Sequence, residues 1–240
     1  MSGRPPLTAN GWMRWALIAP LLDPRIESVL EIGVGQGALG YRLAERYRYV
    51  GLELDEQALA VARSRIRRGT LVHGDLDALA PEDRFDLVVA TEVLEHYEDD
   101  VAELRLWRER LVRRGSLVLS VPAFPERFGP WDVKAGHFRR YERDELAAAL
   151  RAAGFEPVAI RTYGFPLGNL LETARDAVAR RGHAEASMAE RTAASGRLLQ
   201  PSSLTGVLTA GAGAVGGLLQ RPFTNGRHGV GFVALARATD

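Results

Sequence analysis

Residues 29–37 constrain the fold more than any other part of the chain. They read Val-Leu-Glu-Ile-Gly-Val-Gly-Gln-Gly, a short apolar run that contains an acid and then breaks into glycines. An amphipathic helical pattern follows at once. A strand that leads into a glycine-rich turn at the N-terminus of a helix lets a nucleotide-bearing ligand approach bare backbone. The sequence therefore predicts a nucleotide-binding turn, and this motif alone leaves the nucleotide open.

Strand and helix patterns alternate up to about residue 121. The fourth and fifth strand segments are almost continuously apolar, which is typical of a parallel sheet buried on both faces. With right-handed crossovers, this order predicts an α/β fold with a doubly wound, Rossmann-like sheet. The predicted strands are 29–32, 49–53, 70–73, 85–91 and 116–121, and the predicted helices are 38–46, 56–67 and 101–111, with a short turn or helix around 76–80.

The pattern changes after the fifth strand. Residues 122–141 read as a loop rich in proline, glycine and aromatic residues, and a helix is predicted over 142–153. A sixth strand is predicted at 155–163 and a last one at 229–238. The piece between them, about 165–227, has helical patterning, and a loop of that length without its own structure is uncommon. We therefore expect a helical lid inserted between the last two strands.

Composition limits the kind of protein. With 240 residues and 46% hydrophobic content, the chain can bury one substantial core, so we expect a single domain. A net charge of +1 argues against a nucleic-acid partner, and the absence of cysteine excludes disulfides and a cysteine nucleophile. No secretory signal is recognisable, which predicts a cytoplasmic protein. Residues 198–220 are uncharged but broken by proline, serine and glycine, so we expect no stable membrane insertion.

Two cofactor classes fit the glycine turn. Gly33, Gly35 and Ala38 match a dinucleotide fingerprint, and Glu53 at the end of the second strand would serve the ribose of NAD. Glu31 favours the other class. A dinucleotide would bring an anionic pyrophosphate to the turn, which a carboxylate repels, whereas S-adenosylmethionine brings a cationic sulfonium and an ammonium.

Two further motifs follow the third and fourth strands. Asp75 comes directly after the third strand and could accept a hydrogen bond from an adenine amino group. The fourth strand ends in Thr91-Glu-Val-Leu-Glu-His96, which puts acids and a histidine in the crevice where open α/β sheets bind ligands. With the glycine turn, these motifs resemble the class I S-adenosylmethionine-dependent methyltransferases, in particular the small-molecule branch that includes the quinone-biosynthesis enzymes.

The resemblance covers roughly residues 28–163. It implies a seven-stranded sheet whose last strand, formed by 229–238, runs antiparallel to the others. The turn Leu111-Val-Arg-Arg-Gly115 departs from the family's usual Lys-Pro-Gly-Gly, and the segment 165–227 matches no part of the family pattern.

The resemblance also implies S-adenosylmethionine as the cofactor, released as S-adenosylhomocysteine. The three glycines would contact its methionine portion, Glu53 the ribose hydroxyls and Asp75 the adenine, although Asp75 could also be a plain helix cap. Thr91 and Glu92 would lie beside the methionine moiety, mainly through backbone groups. The expected cofactor contacts are Glu31, Gly33, Gly35, Gly37, Glu53, Leu54, Asp75, Leu76, Thr91 and Glu92.

One histidine stands out as a general base. His137 lies in the loop after the fifth strand, where this family commonly builds its substrate pocket, and histidine can take a proton near neutral pH. A purely structural role in the loop is the alternative for His137. We expect His96 to be a structural residue at the start of a helix.

The same loop carries the candidate substrate contacts. Arg140 and Tyr141 could clamp a carboxylate or phosphate, and Trp131 could wall an apolar substrate, with surface salt bridging and core packing as the alternatives. Asp99 and Asp100 open a helix, so they suit its dipole better than a metal ion, and we expect no metal.

The resulting hypothesis is a methyltransferase that acts on a small molecule, most readily at a hydroxyl oxygen. Transfer to nitrogen or carbon stays open, as does an NAD(P)-dependent oxidoreductase. A binding protein that keeps the cofactor fold without catalysis is a further alternative.

Overall fold

The computed structural model describes residues 4–179 and 206–240, and its centre is a seven-stranded sheet. The strand order is β3-β2-β1-β4-β5-β7-β6, and β7 pairs antiparallel with both β5 and β6. The doubly wound sheet and its antiparallel last strand are therefore confirmed. The strands are β1 Ser28–Ile32, β2 Arg48–Glu53, β3 Thr70–His73, β4 Phe85–Thr91, β5 Leu111–Pro122, β6 Phe155–Tyr163 and β7 Gly231–Ala238.

Helices cover both faces of the sheet. Side chains that cap helix N-termini fix several starts: Thr8 accepts from the Gly11 amide, Asp55 from Gln57 and Asp99 from Ala102. The helices are α1 Ala9–Ile18, α2 Ala38–Ala44, α3 Glu56–Arg65, α4 Asp100–Glu109, α5 Pro130–Ala135, α6 Arg143–Ala152, α7 Leu167–Ala179 and α8 Gly206–Leu219.

The core consists of one apolar layer on each face of the sheet. Trp107 of α4 and Leu146 of α6 pack on one face, whereas Met13 of α1 and Ala62 of α3 pack on the other. Strands buried on both faces explain the continuous apolar runs of the central segments.

Two elements differ from the sequence prediction. Strand β5 begins at Leu111, which pairs with Phe85, and the chain then bulges with Arg114 at a φ of 59°. The bulge has no apolar pattern, so only the later part of the strand was predicted. Helix α5 was missed because it has only six residues. It starts with Pro130 at its first position and ends at Gly136, whose φ is 79°.

The segment between β6 and β7 is helical where it is described. It contributes α7 and α8, while residues 180–205 of the predicted lid lie outside the described residues. Helix α8 packs against α1. No described helix has the length and apolarity that crossing a membrane requires.

Candidate active site

The strand order reverses between β1 and β4, and the crevice at the carboxyl ends of these strands is where such folds bind ligands. The predicted glycine turn lies there. Gly33, Gly35 and Gly37 all have positive φ, at 75°, 55° and 81°. A Cβ on Gly33 would lie 2.6 Å from Val93, whereas one on Gly35 would meet no atom within 4 Å. Gly35 therefore borders open space that a ligand can enter.

Glu53 ties the end of β2 to the glycine turn. Its Oε2 accepts a hydrogen bond from the Gly35 amide at 2.6 Å, and its Oε1 accepts one from the Asp55 amide at 2.8 Å. Each carboxylate oxygen has two lone pairs, so both can still accept from ribose hydroxyls. The amides of Gly35 and Asp55 fix the Glu53 side chain in an orientation in which it can accept such hydrogen bonds.

The predicted adenine contacts differ in accessibility. Asp75 is exposed at the end of β3, and its carboxylate caps the short helix that follows by accepting from the Asp77 amide at 3.0 Å. The side chain of Leu54 is 65% exposed and can pack against an adenine ring. Leu76 belongs to the core, so its side chain does not line the crevice and the predicted contact is restricted to its backbone.

Glu31 does not lie free beside the turn. Its carboxyl is buried and accepts a hydrogen bond from the Tyr49 hydroxyl at 2.5 Å. Burial raises the pKa of Glu31 to about 8, although the Tyr49 hydrogen bond opposes this. The predicted role of Glu31 as an anion facing the sulfonium is therefore corrected: near neutral pH the group is mostly protonated and holds β1 to β2.

We expect Glu31→Gln to change how stability depends on pH. Because the folded state binds a proton that the unfolded state releases, the wild type loses stability as pH rises from about 4.5 towards 8. The variant cannot titrate there, so the wild type should lose on the order of 1 kcal/mol per pH unit relative to it. Urea unfolding between these pH values measures the difference, with exposed Glu56→Gln as the control. If the difference in the free energy of unfolding between wild type and variant stays constant over this pH range, Glu31 is ionised in the folded protein.

Glu92, unlike Glu31, presents a carboxylate to the crevice. It follows β4 with a φ of 57°, and its side chain is 30% exposed. Its Oε1 accepts from Ser120 at 2.9 Å and from Tyr163 at 3.3 Å, and it lies 3.0 Å from Arg14 Nη1. Burial alone would raise the pKa of Glu92, but Arg14 and Ser120 keep it below its ordinary value. The sequence predicts a contact mainly through the backbone of Glu92, and nothing in its local pattern marks Arg14.

His137 and Asp132 form a hydrogen-bonded pair on the loop after β5. His137 Nδ1 lies 2.8 Å from Asp132 Oδ1, and the other Asp132 oxygen accepts from Arg140 and from the Gly129 amide. Burial alone would raise the pKa of Asp132, but the hydrogen bonds from His137 and Arg140 lower it to about 2. A carboxylate beside Nδ1 favours the tautomer that carries its proton there, and in that tautomer Nε2 of His137 is the acceptor.

Two further titratable groups adjoin His137. The His96 ring meets the His137 ring edge-on at 4.8 Å, and burial lowers the pKa of His96 to about 4. Glu95 Oε1 lies 3.8 Å from His137 Nε2, and burial together with Glu92 raises the pKa of Glu95 well above its ordinary value. Glu95, His96 and His137 offer ligand atoms within 4.8 Å of one another, so this group could hold a metal ion.

A family model described as a methyltransferase domain matches residues 11–160. The chain belongs to the S-adenosylmethionine-dependent methyltransferases. A Mycobacterium tuberculosis protein named "Probable S-adenosylmethionine-dependent methyltransferase" is 33% identical over 160 residues, which cover 63% of this chain and 58% of the relative. The chain thus spans little more than half of that relative's length. The family and the cofactor agree with the motif-based prediction.

Solved methyltransferases share the fold. An S-adenosylmethionine-bound amino pentose methyltransferase from Micromonospora echinaspora aligns with a TM-score of 0.52 and 22% identity, over 65% of this chain and 88% of that one. A methyltransferase from Mesorhizobium loti aligns with a TM-score of 0.57 and 20% identity, over 95% of this chain and 99% of that one. At such identities the likeness shows the fold alone.

Two predicted substrate contacts of this methyltransferase are wrong. The Arg140 side chain is fully buried and bound to Asp132 and Glu172, each at 2.7 Å, so it cannot clamp a substrate. The Tyr141 hydroxyl donates to Asp100 at 2.9 Å, and its ring belongs to the core. Both side chains hold the loop that carries His137. Trp131 lies at the edge of that loop with Arg175 of α7 over its ring, at 4.6 Å.

Sequence reasoning about this methyltransferase missed Arg14, Asp132 and Arg175. The spacing of Asp132 and His137, five residues apart across a glycine, is a local signal for the histidine–carboxylate pair. Arg14 contacts Glu92 and Arg175 contacts Trp131 only in the folded chain, so no local pattern marks either arginine.

Proposed function

We propose that the chain transfers the methyl group of S-adenosylmethionine to a hydroxyl oxygen of a small molecule, with His137 as the general base. The 2.8 Å contact between His137 Nδ1 and Asp132 carries the proposal. Displacement at a sulfonium methyl needs an aligned nucleophile, and a hydroxyl must lose its proton. A base that is itself oriented by a carboxylate meets that need.

The crevice charges support this cofactor. Glu53 would bind the ribose, and Glu92 would receive the ammonium, because its second carboxylate oxygen has no hydrogen-bond partner within the described ranges. Arg14 would then pair with the carboxylate of the methionine portion. Glu53 suits the ribose of either cofactor, but an anionic pyrophosphate beside Glu92 would be repelled, which disfavours the oxidoreductase alternative.

The helical insertion would act as a lid. Glu172 of α7 is hydrogen-bonded to Arg140 at 2.7 Å and also to Arg127, so α7 packs directly on the loop that carries His137. The His137 side chain is only 9% exposed. Such cover would exclude water that competes with the acceptor for the base.

The decisive experiment follows the methyl group. We expect carbon-13 from the S-methyl of S-adenosylmethionine to appear in hydroxyl-bearing small molecules of a deproteinised cell extract, with the shift of an O-methyl carbon. N-methyl or C-methyl signals would overturn the acceptor atom but not the activity. Tight binding of NADH with no binding of S-adenosylhomocysteine, measured by calorimetry, would overturn the cofactor.

Chelation tests the absence of a metal. The proposal routes no step through a metal ion, so we expect turnover to stay within about twofold after dialysis against EDTA. Loss of turnover that returns with added Mg²⁺ or Zn²⁺ would contradict this, and it would assign Glu95, His96 and His137 as ligands. A chelated sample that still binds S-adenosylhomocysteine shows that the fold is intact.

A further inference from the structure

Arg175 of α7 is a cation without a counter-ion. No carboxylate oxygen lies within 4.0 Å of its guanidinium among the described residues, and its Nε is buried without a hydrogen-bond partner. The guanidinium instead lies over the ring of Trp131, with its central carbon 4.6 Å from the ring centroid. This cation–π contact holds the guanidinium against the Trp131 ring, and no described residue accepts a hydrogen bond from it.

Two of the acids near Arg175 already have partners. Glu172 accepts from Arg127 and Arg140, and Asp132 accepts from Arg140 and pairs with His137. Burial lowers the pKa of Arg175 even though Glu172 and Glu92 act against it with their negative charge. Removing a cation from water costs free energy, and among the described residues no ion pair offsets that cost for Arg175. The site therefore favours an anion.

The position of Arg175 points to the acceptor side of the active site. Its stacking partner Trp131 directly precedes Asp132, which orients His137. The charge of Glu92, at the carboxyl end of β4, also acts on Arg175. Arg175 therefore lies against the segment that carries Asp132 and is close enough to the end of β4 for the charge of Glu92 to act on it.

We propose that Arg175, held over the Trp131 ring, binds an anionic group of the acceptor molecule, a carboxylate or a phosphate. The inference rests on the proposed function, because it assigns the acceptor chemistry of the same site. A guanidinium edge can donate two parallel hydrogen bonds to either anion. An acceptor with an anionic group at one end would thereby present its hydroxyl to His137 in a fixed orientation.

The test measures anion binding in the presence of saturating S-adenosylhomocysteine. The probes are benzoate and inorganic phosphate, with benzamide as the neutral counterpart of benzoate, and the readout is tryptophan fluorescence checked by calorimetry. We expect at least one of the two anions to bind with a dissociation constant in the millimolar range or lower. If benzoate binds, we expect benzamide to bind at least about tenfold more weakly. Benzoate binding alone would indicate a carboxylate and phosphate binding alone a phosphoryl group.

Variants distinguish binding at Arg175 from nonspecific attraction of anions to other positive charges of the protein. We expect Arg175→Gln to weaken the anion about tenfold or more and Arg175→Lys to retain part of the affinity. Arg113→Gln, an exposed arginine at the start of β5 that pairs with Asp240, should leave binding unchanged. Binding that survives Arg175→Gln, or no anion binding by protein that still binds S-adenosylhomocysteine, would overturn the inference. Failure to bind S-adenosylhomocysteine itself would instead count against the proposed function.

Discussion

His137→Gln should lower turnover by about 100- to 10,000-fold, the usual contribution of a positioned general base. Glutamine can still donate a hydrogen bond to Asp132, so the loop keeps its shape, but it cannot take a proton from a hydroxyl. We therefore expect S-adenosylhomocysteine to bind the variant as it binds the wild type. The measurements are single-turnover methyl transfer and calorimetry of S-adenosylhomocysteine binding.

A control and a rescue distinguish catalysis from structure. His228→Gln changes an exposed histidine and should leave turnover unchanged. Added imidazole should restore part of the rate to His137→Ala, because that truncation leaves space beside Asp132 for a small base. A variant that keeps wild-type turnover would show that alignment alone drives the transfer and that His137 holds the loop.

Local sequence patterns predicted most of the helices and strands. The central strands are mostly apolar runs bounded by glycine, proline or an acid, so the sequence pattern placed them within a few residues. The start of β5 was missed because its bulge at Arg114 interrupts that pattern, and its pairing with Phe85 is a tertiary contact. A helix as short as α5 gives too few turns for an apolar stripe to register.

The site was predictable where one segment builds it. The glycine turn and Glu53 are set by consecutive residues, and the structure joins them through the Gly35 amide. The arginines were not predictable in this way. Arg140 and Arg175 have the same side chain, but folding buries Arg140 in ion pairs with Asp132 and Glu172, whereas it places Arg175 over the ring of Trp131. Burial also turned Glu31 from an expected anion into a neutral acid.

Arg140→Met should lower the free energy of unfolding by about 3–5 kcal/mol, the usual cost of removing one partner from a buried ion pair. Methionine fills much of the same volume, but it leaves Asp132 and Glu172 as buried carboxylates without the guanidinium that both contact at 2.7 Å. Arg139→Met is the matched control, since that side chain is 36% exposed and should cost no more than about 1 kcal/mol. Urea unfolding near neutral pH measures both.

The pH dependence identifies the cause of that loss. In the wild type the pKa of Asp132 lies at about 2, below its ordinary value of 3.8, so its stabilising contribution is present above pH 3.8 and is lost as pH falls through about 2. Without Arg140 the Asp132 carboxylate should protonate at higher pH, so the difference in the free energy of unfolding between variant and wild type should narrow as the pH is lowered from 7 towards 4. Combining Arg140→Met with Glu172→Gln should also recover part of the loss, because the second change removes one stranded charge. If the loss of unfolding free energy in Arg140→Met is independent of pH and unaffected by Glu172→Gln, Arg140 stabilises the loop by packing alone.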